Sequence, residues 1–392
     1  MAMKLNHIRY LVTASRHSVV GKKTNLFFSC GVLLLVTSIV MINVDTGSLK
    51  AAPRLLEHQD TKPLIKVWHG LDQKVGHLGH AQEDFNLMGH MVGFESIASL
   101  TYRLNDAAPV ELNMGQGPFG DERRLAAPGD FNADIPISLL KAGVNSIVLK
   151  AIDTLGQATS VTVHVEKLKG AYPLPVEIVW EKTDDPQDVG QYVDGKWGLE
   201  KGGLRTLRTG YDRIFLIGDT TWQDYEVTVA VTVHKVDPET GPVSGGNGVG
   251  ILMRFTGHVI GGPRDFPSGQ PKWGYQPFGA IAFLRWKDGS DSDPTKQFYR
   301  GDKNEIQNFG NVSIVPGQTY RMKMRGMTLP DQGSEGVTRY SWKMWPEGDT
   351  EPATWDWEVV QESRHALRKG GVVLVAHHVD ATFGDVRITP IN

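Results

Sequence analysis

The clearest pattern in the chain is DYEVTVAVTVH, residues 224–234. Tyr225, Val227, Val229, Val231 and Val233 fall on one phase, and Glu226, Thr228 and Thr232 on the other. A period of two marks a half-buried strand. The same alternation recurs downstream. Tyr320, Met322 and Met324 alternate with Arg321, Lys323 and Arg325, and Tyr340, Trp342 and Met344 alternate with Ser341 and Lys343. Antiparallel sheets with one solvated face read this way. Upstream, LIKVWHG and SLTYRLND alternate as well, and NSIVLKAID and ATSVTVHVE flank Asp153-Thr154-Leu155-Gly156, a hairpin signal. Short strands with turn signals every ~8–12 residues predict β-sandwiches.

One segment departs from this pattern. LFFSCGVLLLVTSIVMI, Leu26 to Ile42, is apolar over 17 residues, and it follows Lys4, Arg9, Arg16, Lys22 and Lys23 with no acid among the first 25 residues. That length is at the short end of the ~17–25 residues that span a bilayer as a helix. The positive flank predicts a cytoplasmic N-terminus. Residues 1–25 are then a cytoplasmic basic segment, 26–43 a membrane anchor or signal sequence, and 44–62 a polar linker. The bulk of the chain is expected outside the cytoplasm, in a periplasm or at a cell surface. The lack of a clean small-residue cleavage site favours an anchor, with a cleaved signal as the alternative. The single cysteine, Cys30, excludes a disulfide framework. A net charge of −3 with no basic stripe argues against a nucleic-acid partner.

In the segment 63–168, Leu140, Gly143, Asn145, Ile147, Leu149, Ala151, Asp153 and Gly156 match the closing hairpin of bacterial immunoglobulin-like or fibronectin-III-like modules. The chain resembles those modules over about residues 64–167, which implies a spacer or docking sandwich. In the segment 172–392 four groups stand out: Gly195, Trp197, Leu199, Gly202 and Leu204; Asp224, Tyr225, Val227 and Val229; Gly250, Ile251, Met253 and Arg254; and Gly370, Val372, Leu374, His377, Phe383, Val386 and Ile388. There the chain resembles concanavalin A-like, laminin-G-like jelly rolls, most of all the 3-keto-disaccharide hydrolase type of domain. The resemblance places a family histidine at His377. It also implies departures, with Val375 where that family has glutamine and Asp385 where it has asparagine. The expected fold is all-β: an N-terminal membrane helix, an immunoglobulin-like sandwich, then a concanavalin A-like jelly-roll sandwich.

The chain lacks the paired-carboxylate string E-x-D-x-x-E of retaining jelly-roll glycosidases. G-x-S-x-G, H-E-x-x-H and the P-loop are absent too. The expected function is therefore a lectin-like one, an exported and membrane-tethered protein that binds a polysaccharide or other glycan. Indole and phenol rings stack on sugar C–H faces, which points to Trp273, Tyr275, Trp286 and Trp355, with His377, as ligand-binding residues. The alternative is a carbohydrate-active hydrolase or lyase using His377, Arg254, Arg285 and Asp385. A structural envelope protein that docks a partner is the third reading. No cofactor is expected. His69, His77, His80 and His90 stand near Glu83 and Asp84, but their spacing of 8, 3 and 10 matches no metal signature, and His77 and His80 are its best ligands. DGSDSD (288–293) offers Asp288 and Asp291 to calcium, although a solvated turn is the simpler reading.

Overall fold

The computed structural model describes residues 64–115, 123–239, 244–259, 270–287, 292–329, 337–362 and 366–391, which belong to one compact unit. These residues form an all-β protein whose only helices are short 3₁₀ turns. No helix among them is long and apolar enough to cross a membrane. The expected anchor, 26–43, lies outside the described residues.

Residues 64–167 make a small sandwich. A three-stranded sheet orders Leu64–Val67, Asp84–Val92 and Asp130–Pro136. A five-stranded sheet orders Asp72–Val75, Ala158–Lys167, Gly143–Asp153, Ile97–Leu104 and Val110–Glu111. Leu100, Tyr102, Leu104, Ile147, Leu149 and Ala151 from one sheet meet Phe85, Leu87, Phe131 and Ile135 from the other, and all are buried. The Asp153–Gly156 hairpin forms as its sequence predicts, with the Asp153 carboxylate accepting the backbone N–H groups of Leu155 and Gln157.

The larger sandwich follows. Its front sheet orders Gln191–Asp194, Arg213–Ile217, Gly371–His377, Asn247–Phe255, Ala280–Trp286, Thr295–Arg300 and Glu305–Asn311. Its back sheet orders Trp197–Glu200, Gly203–Thr206, Val379–Pro390, Tyr225–Val236, Thr319–Leu329, Val337–Pro346 and Trp357–Gln361, with Val176–Ile178 added beside Val379–Pro390. The alternating residues Tyr225, Val227, Val229, Met322, Met324, Tyr340 and Trp342 point between the two sheets and are buried there. The stretch from Gly195 to Leu204 is not a single strand. It turns at Gly202, whose φ of 97° a side chain rarely adopts, and becomes a hairpin.

The front sheet is apolar on both faces. Its inner residues, such as Phe215, Ile251 and Leu374, join the inter-sheet core. On its outer face, Ile214, Leu252, Ile281, Phe283, Val373 and Val375 form a second cluster, covered in part by Phe278 and Tyr275. The small sandwich clasps the large one beside this face. Arg124 is buried and reaches the carboxylates of Asp134 at 2.7 Å and Asp194 at 3.0 Å, and also donates to the carbonyls of Val193 and Lys272. Lys272 in turn pairs with Asp84 at 2.8 Å, and Arg208 with Asp130 at 2.5 Å. The small sandwich is therefore not a detached spacer. Its ion pairs fix it against the wall of a cleft.

Candidate functional site

The outer face of the front sheet opens at one end into a cavity of about 750 Å³. That volume lies within the ~300–1,000 Å³ usual for ligand sites. The sheet register places its floor. Gly248 pairs with Arg285 on one side and with His377 on the other. Residues two apart on a strand share a face, so Phe283 and Arg285 point outward together, as do Val373, Val375 and His377. Gly248 lacks the side chain that would crowd this row, where a Cβ would stand 2.9 Å from Arg285 Nη1.

His377 ends its strand, and Ala376 pairs with Arg213 in the next strand. Asp212, just before that strand, is thereby brought opposite His377. His377 Nδ1 lies 2.8 Å from Asp212 Oδ1, and Nε2 lies 3.1 Å from Ser244 Oγ. The Tyr275 hydroxyl donates to Asp212 Oδ2 at 2.6 Å. Burial alone would raise the Asp212 carboxyl, but the charge and hydrogen bond of His377 and the Tyr275 bond overcome it. Asp212 is held well below the ordinary carboxylate range. Burial pushes His377 below the ordinary imidazole value, although Asp212 pulls the other way. An ionised Asp212 can only accept, so Nδ1 carries a proton, and in the neutral ring Nε2 is the acceptor facing Ser244.

The walls are cationic, aromatic and amide-bearing. Arg123 comes from the small sandwich. Its guanidinium carbon lies 3.8 Å from the Trp273 ring centroid, and its Nη1 donates to the Tyr211 hydroxyl at 2.8 Å. The Tyr211 ring stands edge-on to His377 at 4.6 Å. Gln276 donates to the Tyr299 hydroxyl at 2.9 Å and to Asn304 at 2.8 Å. Arg285 bonds only backbone carbonyls, at Gly245 and Ser244, among the described residues. Burial lowers its guanidinium from the usual value, and the nearby Asp212 charge pulls the other way.

Trp273, Tyr275, Arg285 and His377 thus line one cavity. Trp286, Trp355, Arg254 and Asp385 do not. Trp286 is adjacent to Arg285, so it faces the opposite way and is buried in the inter-sheet core. Trp355 lies under Arg325 and Lys343 of the back sheet, 5.0 and 4.7 Å from its ring centroid. Arg254 is fully buried, donating to Thr338 Oγ1 and the Leu367 carbonyl, which makes it a structural cation. Asp385 is on the back-sheet strand Val379–Pro390 and accepts the Trp180 backbone N–H at 3.0 Å. Sequence reasoning missed Arg123, Tyr211, Asp212, Ser244, Gln297 and Tyr299, all of which line the cavity.

The four upstream histidines do not converge. His69 stacks on Tyr192 at 3.6 Å, His77 donates to the Gln187 carbonyl, His80 meets Glu83, and His90 meets Asp130. Among the described residues no three His, Cys, Asp or Glu side chains gather as a metal site. Asp288 and Asp291 lie outside the described residues.

No family model matches the chain, and no curated protein matches it. Several solved structures are similar to part of it. The exoplasmic/lumenal domain of VIP36, in its Ca²⁺/Man3GlcNAc-bound form, aligns over 53% of this chain and 87% of its own, at 11% identity and a TM-score of 0.33. A variant of alginate lyase Aly36B in complex with alginate trisaccharide aligns over 57% of this chain and 100% of its own, at 14% identity and a TM-score of 0.37. The marine PL-14 alginate lyase from Aplysia kurodai aligns over 53% and 88%, at 9% identity and a TM-score of 0.28.

Proposed function

We propose that the cleft binds an acidic saccharide. The observation that carries this reading is Arg285. A guanidinium sunk in the cavity wall with no carboxylate in ion-pair reach among the described residues asks for an anion from outside. Arg123 and Lys287 line the same space and add to the positive field. The one acid there among the described residues, Asp212, already accepts from His377 and Tyr275. Trp273, Tyr211 and Tyr299 offer faces for sugar C–H groups, and Gln276, Gln297 and Asn304 offer amides for hydroxyls. Together these suit a uronate-type residue better than a neutral sugar.

In the same reading the small sandwich is an immunoglobulin-like module, the large one a concanavalin A-like jelly roll, and residues 26–43 tether the protein at an outer membrane face. Immobilised acidic and neutral polysaccharides, probed with the full chain, test the proposal. Retention on the acidic set, lost in Arg285→Gln and weakened in Trp273→Ala, is expected. Equal retention on both sets, or none on either, would overturn it.

A further inference from the structure

We propose that Ser244, His377 and Asp212 form a nucleophilic relay that cleaves carboxylic esters carried by the saccharide in this cleft. The inference rests on the acidic-saccharide reading and adds an activity to it. Three observations carry it. The distances run 3.1 Å from Ser244 Oγ to His377 Nε2 and 2.8 Å from His377 Nδ1 to Asp212 Oδ1. A nucleophile, a base within hydrogen-bond reach and a third group orienting the base are the parts such a relay needs. All three residues line the one cavity, so the ends of the relay meet a bound ligand rather than the protein core. Arg285 lies beside the nucleophile, with Nη2 3.4 Å from the Ser244 carbonyl and Nε 3.2 Å from that of Gly245.

The step balances without another reagent. Ser244 Oγ attacks the ester carbonyl carbon while its proton passes to His377 Nε2. The carbonyl electron pair moves to oxygen, and the Arg285 charge stabilises that oxyanion. The pair then returns, the C–O bond to the sugar breaks, and the departing alkoxide takes the proton from His377. Water attacks the acyl-serine by the same route and releases the acid. Asp212 is a positioning residue in this scheme. It fixes the His377 tautomer and steadies the imidazolium that forms within each half-reaction. Gly245 and Gly246 follow Ser244 at φ of 88° and 100°, so the turn presents the hydroxyl with no side chain on its C-terminal side.

A plainer role, in which Asp212 merely ties down a buried histidine, gives the same distances and no reactivity. The two separate by experiment on the full chain. A fluorophosphonate probe should modify Ser244, read as an adduct on its peptide by mass spectrometry, and p-nitrophenyl acetate should be hydrolysed. Ser244→Ala should abolish both. His377→Gln should slow labelling on the order of 100-fold or more. Ser244→Cys gives a second measurement that leaves the buried His377 in place. A thiol paired with His377 should be alkylated with a pH midpoint below the ordinary ~8.5, and Asp212→Asn should move that midpoint back up. An unlabelled Ser244, no ester hydrolysis and an ordinary thiol midpoint, in protein that still binds acidic oligosaccharide, would overturn the relay and leave the binding proposal standing. Loss of acidic-saccharide binding by the wild-type chain would remove both.

Discussion

Arg123 of the small sandwich lies with its guanidinium carbon 3.8 Å from the centre of the Trp273 ring in the large one. The cleft is thus closed by a residue from the other sandwich. A desolvated cation–π contact contributes about 0.5–2 kcal/mol, and the charge adds to it. Arg123→Ala should weaken binding of an acidic oligosaccharide about tenfold, equivalent to ~1.4 kcal/mol. Isothermal titration calorimetry reads the loss. Circular dichroism should show an unchanged fold, because Arg123 is only half-buried.

Arg124, one residue on, has a different task. It is buried between Asp134 and Asp194 and also serves two carbonyls. Removing one side of a buried ion pair strands the other charge, at a cost of about 3–5 kcal/mol. Arg124→Ala should lower the urea midpoint accordingly. A loss within ~1 kcal/mol would mean the clasp is not what fixes the sandwiches together.

Trp355 and Trp286 supply a paired contrast. Trp355, in the loop before Trp357–Gln361, packs against Arg325 and Lys343 of the back sheet, so Trp355→Ala should leave saccharide affinity unchanged within error. Trp286 fills the inter-sheet core, so Trp286→Ala should cost ~3–5 kcal/mol of stability. Chemical denaturation and calorimetry on the two variants check both statements.

These tryptophans also show where the sequence is legible. From Tyr225 to Val233 one face of the strand is apolar and the other polar, so the inward set can be read directly. In Ala280–Trp286 the run is Ala-Ile-Ala-Phe-Leu-Arg-Trp, because the outer face of that strand is covered as well. The period of two disappears there, and only the polar Arg285 marks the phase. Adjacent residues on a strand face opposite ways, so Arg285 and Trp286 could never both line the cleft. Asp212 and Ser244 had no local signature at all. They lie outside the strands and meet His377 only through sheet register and turn placement, across 165 and 133 residues of chain. His377 was visible; the acid and hydroxyl that give it its chemistry were not.

The buried histidines predict a pH dependence. Burial lowers His69 and His378 to about 3, and lowers His258 and His377 as well. Unfolding returns each to ~6.5. Between about 3 and 6.5 the unfolded chain therefore binds more protons than the folded one, and stability rises with pH across that window. Asp194 works against this. Burial raises it to about 7 despite Arg213 and Arg124, so the folded state holds a proton there that the unfolded state has released. Burial raises Asp84 and Asp130 in the same sense, but the lowered imidazoles, His77 included, outnumber the raised carboxylates five to three. The melting temperature should fall as pH drops from 6.5 to 5, and a melting temperature flat over that range would show that these imidazoles are not buried and neutral.

The most direct test of the acidic-saccharide cleft is a calorimetric titration of the full chain with a uronate oligosaccharide and with its carboxyl-reduced counterpart. The two ligands share rings and linkages and differ only in charge. The account predicts that the acidic form binds at least tenfold more tightly, and that Arg285→Gln removes this preference without abolishing weak binding of the reduced form. Equal affinities for the two forms, unaffected by Arg285→Gln, would contradict it.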